Sequence, residues 1–235
     1  MSVSADSRSW TEPHTWLWVA GSLVAGHDWQ AWMASGEQQL EQLAATEGRT
    51  LGTGRGAARA VSLDEEHRGV WRINRHGGLL GGLQGDRYRS PKRLQEEVEL
   101  SEGLRADGIL TPRVLLALAC KEGGGWRQHL VTEEVADAET VFQARDCQEA
   151  MDAAAALLAQ VFELGLWAKD LHPDNLLWRA PDQTCWLLDL AGAKRFDRPL
   201  DAAQRQARVD RFLRYFRKHA GSEPATADVI GALGA

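Results

Sequence analysis

Cysteine is scarce in this chain, and the three present (Cys120, Cys147 and Cys185) are scattered, odd in number and without metal-ligand spacing. That argues against a disulfide-stapled secreted scaffold or a zinc module and predicts reduced residues in a core. Positive charge is not in excess: 27 Lys and Arg against 33 Asp and Glu leave a net charge of −6. A phosphate backbone demands a basic face, so nucleic acid is not expected as the main partner. Long hydrophobic runs are missing too. No segment approaches the ~20 apolar residues of a membrane span, and no N-terminal stretch joins a charged start to an apolar run, so neither a span nor a signal peptide is expected. No internal repeat is found. What is present is ordinary in bulk: 235 residues, 44% hydrophobic and 26% charged, enough to bury a substantial core.

The informative part of the chain is Ala168-Lys169-Asp170-Leu171-His172-Pro173-Asp174-Asn175-Leu176-Leu177-Trp178, with Asp189 closing the later apolar run Trp186-Leu187-Leu188. An aspartate, an asparagine five residues on and a second aspartate after an apolar run match the set that places a catalytic carboxylate and two metal ligands around a nucleotide. Mg²⁺ takes hard oxygen ligands and few of them, since it keeps waters and phosphates in its shell. Asn175 and Asp189 offer an amide oxygen and a carboxylate for that task, which leaves Asp170 to accept a proton from a hydroxyl. Each residue alone reads as an ordinary turn residue; their spacing between apolar runs makes the set. The runs Asn175–Trp178 and Thr184–Leu188 flank Arg179-Ala180-Pro181-Asp182-Gln183, a turn composition, so a hairpin is expected to bring Asn175 and Asp189 to one end of a strand pair.

Upstream, Leu51-Gly52-Thr53-Gly54-Arg55-Gly56-Ala57-Ala58 has three glycines at alternate positions. Such a loop can bring backbone N–H groups close to phosphates because no Cβ intervenes, although a flexible linker looks the same. Gly69-Val70-Trp71-Arg72-Ile73-Asn74-Arg75 reads as a strand; no lysine is available on it, and Arg72 stands where a phosphate-holding cation is needed. Ser90-Pro91 opens a helix with Leu94, Val98 and Leu104 as a partial apolar face, and either Glu96 or Glu97 is the carboxylate that orients Arg72. Most glutamates on such a helix are a solvated face.

Gly54-Arg55-Gly56-Ala57-Ala58, Arg72 to Leu79, Asp86-Arg87-Tyr88, Leu104 to Pro112, Val131-Thr132-Glu133 and Asp170 to Leu177 together resemble the lipopolysaccharide kinase family of Kdo (3-deoxy-D-manno-octulosonic acid) and heptose kinases. The likeness runs in order from about Gly52 to about Lys218; its glycine loop and Arg-rich Gly-Gly-Leu segment are the more specific parts. It implies an α+β, two-lobed protein-kinase-like fold, with a small β-rich N-lobe over 12–133 and a compact, mostly helical C-lobe over 134–235; residues 1–11 are polar and expected to be disordered. It implies ATP and Mg²⁺ as cofactors, with Asp170 catalytic and Asn175 and Asp189 as metal ligands. Gly52, Gly54, Arg55, Gly56, Ala57, Arg72, Glu96 and Glu133 bind the nucleotide, the count back from Gly108 and Pro112 favouring Glu96 over Glu97. The acceptor implied is a sugar hydroxyl of inner-core lipopolysaccharide, the Kdo of Kdo-lipid A, phosphorylated at the cytoplasmic face of the inner membrane of a Gram-negative cell. Two departures stand out: Ala168 occupies the place of the usual histidine, and the glycine after Asp189 is shifted one place on, to Gly192. The loop also resembles that of aminoglycoside and choline kinases. A kinase of another acceptor (heptose, small molecule or protein) and a nucleotide-binding pseudokinase therefore stay open, as does the oligomeric state.

Thr15-Trp16-Leu17-Trp18-Val19-Ala20 reads as a strand, and His27 to Met33 as a helix start or a surface segment. Tryptophans this close suit sugar stacking or a membrane interface, and suit core packing better. Arg205, Arg208, Arg211, Arg214, Arg217 and Lys218 are threaded with Val209, Phe212, Leu213 and Phe216. This amphipathic pattern suits an anionic membrane surface, but the apolar stripe is better read as buried, with the arginines free to face acidic headgroups or sugar carboxylates.

Overall fold

The computed structural model describes residues 7–51, 58–75, 86–224 and 226–234. Strand β2 (Thr15–Val19) is buried at all five positions, because both faces of its sheet are covered. Leu17 and Val19 pack with Trp29, Trp32, Met33 and Leu40 of helix α1 (Trp29–Glu47), while Trp16 and Trp18 pack with Leu94 and Val98 of helix α2 (Lys92–Ala106). The clustered tryptophans are thus core residues, and the indole N–H of Trp29 finds the Val24 carbonyl at 2.7 Å.

The sheet runs β1-β2-β7-β8-β5-β4-β3, with β1 Arg8–Glu12, β3 Thr50–Leu51, β4 Ala58–Ser62, β5 Arg68–Ile73, β7 Val114–Glu122 and β8 Gly125–Glu133. All neighbours are antiparallel, and β6 (Arg87–Tyr88) pairs with the start of β8. Strand β1 corrects one expectation: Arg8 to Thr11 are not disordered but pair with Val19 to Trp16. Edge pairing uses backbone groups alone, so the polar side chains of β1 give no period-2 signal. Helix α1 starts at Asp28, whose carboxylate accepts from the Gln30 and Ala31 amides, and stops at Gly48 in the left-handed region (φ 64°). It kinks at Ser35, next to Gly36, where a Cβ would stand 2.7 Å from the Leu118 side chain of β7.

The described residues fall into two compact units. One holds those up to Gly103 with Arg113–Glu134; the other holds Leu104–Pro112 and the residues from Val135 on. Residues 104–112, expected with the first, belong to the second because the Leu187 amide donates to the Leu110 carbonyl at 2.8 Å and Arg195 pairs with Asp107 at 2.5 Å. The second unit is built on helix α3 (Gln148–Glu163), which buries Met151, Ala154, Leu158, Val161 and Phe162. Around it lie a three-stranded antiparallel sheet (β9 Ala138–Thr140, β11 Leu176–Arg179, β12 Thr184–Leu187) and the pair β10 (Leu166–Trp167) and β13 (Lys194–Arg195). Helix α4 (Ala202–His219) follows a reciprocal Asp201–Gln204 capping box, and α5 covers Ala227–Ala232. The three cysteines are unpaired, and burial pushes the Cys120 thiol to about 11 and that of Cys185 to about 12. Among the described residues no helix is long and apolar enough to cross a membrane.

Candidate active site

In the second unit, the hairpin expected from the sequence is formed by β11 and β12 in the register Leu176↔Leu187. The Leu188 amide donates to the Asn175 carbonyl at 2.8 Å, so Asn175 and Asp189 leave the same end of the strand pair. Pro173–Asn175 forms one 3-10 turn that carries the chain from Asp170 into β11. There the Asn175 amide Nδ2 donates to the Asp170 carbonyl at 2.8 Å. That bond fixes the flip of the side chain; Oδ1 carries no hydrogen bond among the described residues. Asp189 sits at φ 52°, a left-handed backbone that aspartate tolerates at some cost, and its Oδ1 accepts from the Ala191 amide at 3.3 Å.

Helix α4 faces this loop. Arg211 Nη2 donates to Asp170 Oδ1 at 2.7 Å, and Oδ2 has no hydrogen bond among the described residues. Arg208 Nη1 donates to the carbonyls of Ala168 and Lys169, both at 3.0 Å, while its guanidinium lies 4.6 Å over the Trp167 ring. Burial lowers the Arg208 pKa, and the nearby Arg211 guanidinium lowers it further. The Tyr215 hydroxyl donates to Asp174 Oδ2, and Asp174 Oδ1 accepts from Thr140 Oγ1 at 3.1 Å. Burial and the Asp174 carboxylate push the Tyr215 phenol up to about 12, which keeps it a donor. His172 stacks on the same ring at 4.7 Å, and burial lowers its pKa toward the neutral form. None of Arg208, Arg211 and Tyr215 carries a sequence signal tying it to the loop, because contacts across some forty residues leave no periodicity. The apolar stripe Val209, Phe212, Leu213 and Phe216 is buried. Four of the five arginines of α4 are engaged within the unit: Arg205 with Glu163 at 2.8 Å and Arg217 with Glu223 at 3.2 Å, besides Arg208 and Arg211.

The first unit carries the expected cation. Arg72 on β5 pairs with Glu97 of α2 and donates to Asn74 Oδ1 at 2.7 Å; Asn74 Nδ2 in turn donates to Glu97 Oε2 at 3.1 Å. Gln128 joins this buried network by accepting from Asn74 Nδ2 at 3.4 Å, and itself donates to the Ser90 carbonyl at 3.0 Å. The choice of Glu96 is corrected here. Helix phase places Leu94, Glu97, Val98 and Ser101 on the buried stripe, whereas Glu96 is 60% exposed and pairs with Lys92. Glu133 ends β8: its amide donates to the Arg113 carbonyl and its carboxylate accepts from the Arg113 amide, each at 2.8 Å. Gly52, Gly54, Arg55, Gly56 and Ala57 lie outside the described residues, between the paired strands β3 and β4 (Leu51↔Ala58). His76 to Leu79 also lie outside them.

Among the described residues there is no group of three or more His, Cys, Asp or Glu side chains able to hold a metal. The donor set at the hairpin end, one carboxylate and one amide oxygen, suits a hard cation that keeps most of its shell as water and phosphate.

Comparison with known proteins gives a consistent picture. The model of the lipopolysaccharide kinase (Kdo/WaaP) family matches residues 41–232. A 3-deoxy-D-manno-octulosonic acid kinase of Vibrio vulnificus is 28% identical over 214 residues, covering 86% of this chain and 82% of its own. A namesake from Vibrio parahaemolyticus is 26% identical, covering 71% of each. In fold, the chain is similar to WaaP, solved in complex with acyl carrier protein (TM-score 0.51, 14% identity, 87% of this chain and 92% of that one). It is also similar to the Rio2 kinase of Chaetomium thermophilum (TM-score 0.52, 16% identity, 86% and 67%). The fold is therefore that of protein kinases, and the chain belongs to the lipopolysaccharide kinase (Kdo/WaaP) family.

Proposed function

We propose that this protein transfers the γ-phosphate of ATP to a sugar hydroxyl of inner-core lipopolysaccharide, the Kdo of Kdo-lipid A. The observation that carries the chemistry is the Asp170, Asn175 and Asp189 set, held at one hairpin end with Asp170 Oδ2 and Asn175 Oδ1 without partners among the described residues. Family membership supports ATP as the donor and a lipopolysaccharide sugar as the acceptor.

Asp170 Oδ2 accepts a hydrogen bond from the acceptor hydroxyl and takes its proton as the new oxygen–phosphorus bond forms and the bond to the departing ADP breaks. Asn175 Oδ1 and the Asp189 carboxylate would hold Mg²⁺. When bound, that ion supplies charge neutralisation for the phosphates. Arg72, held by Glu97 and Asn74, presents a fixed guanidinium to phosphate oxygens. Glu97 takes the role first expected of Glu96. Residues 52–57 would offer backbone amides to the same phosphates, and Glu133 would lie at the nucleotide. Because Kdo-lipid A is a membrane lipid, this reading puts the protein at the cytoplasmic face of the inner membrane.

The test is incubation with labelled ATP, Mg²⁺ and a panel of acceptors: Kdo-lipid A, heptosylated lipid A, an aminoglycoside and a generic protein. Label is expected on Kdo-lipid A. Label on the generic protein alone would sink the lipopolysaccharide reading, and label on none would favour a pseudokinase.

A further inference from the structure

Arg208, Arg211 and Tyr215 are spaced three and four apart, so they project from one face of helix α4. Their partners follow one another along the loop: the carbonyls of Ala168 and Lys169, the carboxylate of Asp170, and the carboxylate of Asp174. The helix itself is well fixed, with a reciprocal capping box at Asp201 and four buried apolar side chains. Rigid support of this kind is what aims a reacting group, since a shift of about 1 Å can cost about 10²-fold in rate.

The two arginine contacts differ in character. Arg208 is partly buried, and one guanidinium nitrogen satisfies two successive carbonyls while the plane rests on Trp167. The Arg211–Asp170 pair is open, with side chains 42% and 47% exposed. An ion pair this exposed adds little to stability, so its consequence is directional. It occupies Oδ1 and leaves Oδ2 without a hydrogen bond among the described residues.

We propose that one face of α4 is the positioning element of the catalytic loop, with Arg208 and Arg211 as positioning residues: Arg208 fixes the loop backbone before Asp170, and Arg211 fixes the orientation of the Asp170 carboxylate. The proposal rests on the reading of Asp170 as the group that receives the acceptor proton. Asn175 is held at the hairpin end through the Leu188 amide and by the Asp170 carbonyl, whereas Arg211 touches the Asp170 carboxylate. Loss of Arg211 should therefore act on turnover and spare Mg-ATP binding.

The experiment compares the full-length wild type with Arg211→Ala, Arg211→Lys and Arg208→Ala, recording thermal unfolding, kcat and the KM for Mg-ATP. Two reactions are followed, transfer to Kdo-lipid A and the slow hydrolysis of Mg-ATP by water. Arg211→Ala should unfold as the wild type does, lose about 10–100-fold in kcat and keep its KM within about twofold. Arg211→Lys should recover part of the loss, and added guanidinium ion should restore part of the activity of Arg211→Ala. Arg208→Ala should show the same split if it folds; exposed Arg211 decides the matter if it does not. A folded Arg211→Ala protein with wild-type kcat, or one whose loss lies wholly in KM, would overturn the proposal. A wild type that hydrolyses Mg-ATP without transfer to Kdo-lipid A would overturn the acceptor instead, and the variants would still be compared on hydrolysis.

Discussion

At Asp170, one carboxylate oxygen is spoken for and the other is open, an asymmetry that suits a group meant to take a single proton. Asp170→Ala is expected to lower kcat by at least about 10²-fold while leaving thermal unfolding unchanged, since the side chain is half exposed. Asp189→Asn should instead weaken Mg-ATP binding, read as a raised dissociation constant in a calorimetric titration. The neighbouring glutamates of α2 give a sharper contrast. Glu97→Ala leaves Arg72 and Asn74 without their shared carboxylate in a buried network, a loss of about 3–5 kcal/mol. Glu96→Ala removes one exposed pair with Lys92 and should cost no more than about 1 kcal/mol, both variants being compared with the wild type by denaturant titration. Asp170, Asn175 and Asp189 were legible in the sequence because a hairpin with a turn between apolar runs fixes their spacing. The choice between Glu96 and Glu97 was not, because it depends on the phase of α2, set by where Leu94 and Val98 meet the sheet. Arg211 was invisible for a different reason: its partner lies far away in the chain.

Among the elements, strand β10 leads directly into the catalytic loop, and its start depends on Gly165. This glycine lies at φ 71°, and a Cβ there would stand 2.3 Å from the Arg198 carbonyl oxygen and 2.5 Å from that of Phe196. Both neighbours are backbone, so neither can swing away. Gly165→Ala should cost about 2–5 kcal/mol in chemical denaturation, from left-handed strain and overlap together. Sequence patterns read β2, β5, α2 and the β11–β12 hairpin well, since each carries its own apolar periodicity or capping residue. Strand β1 escaped because an edge strand is held by backbone pairing. The apolar stripe of α4 was legible as a buried face, whereas the use of its arginines as internal braces was not.

At the scale of the whole molecule, the buried His129 couples stability to acidity. Burial first, and Arg127 second, lower its pKa from 6.5 to about 4, with the Trp71 indole donating to Nδ1 at 3.3 Å. The unfolded chain therefore binds the proton more readily, and stability is lost as pH falls from about 6.5 toward 4, by on the order of 3 kcal/mol in total. Unfolding midpoints measured across that range should fall steeply for the wild type and less for His129→Gln, whose amide oxygen can still accept from Trp71. The same molecule unites a kinase-like fold, a match to the lipopolysaccharide kinase family over residues 41–232 and an Asp–Asn–Asp set at one hairpin end. The most direct measurement of the activity these imply is phosphate transfer from labelled ATP to purified Kdo-lipid A in the presence of Mg²⁺, with wild type and Asp170→Ala side by side. Label on the Kdo sugar with the wild type and none above background with the variant is the predicted result; equal labelling by a folded Asp170→Ala protein, or none by the wild type, would contradict it.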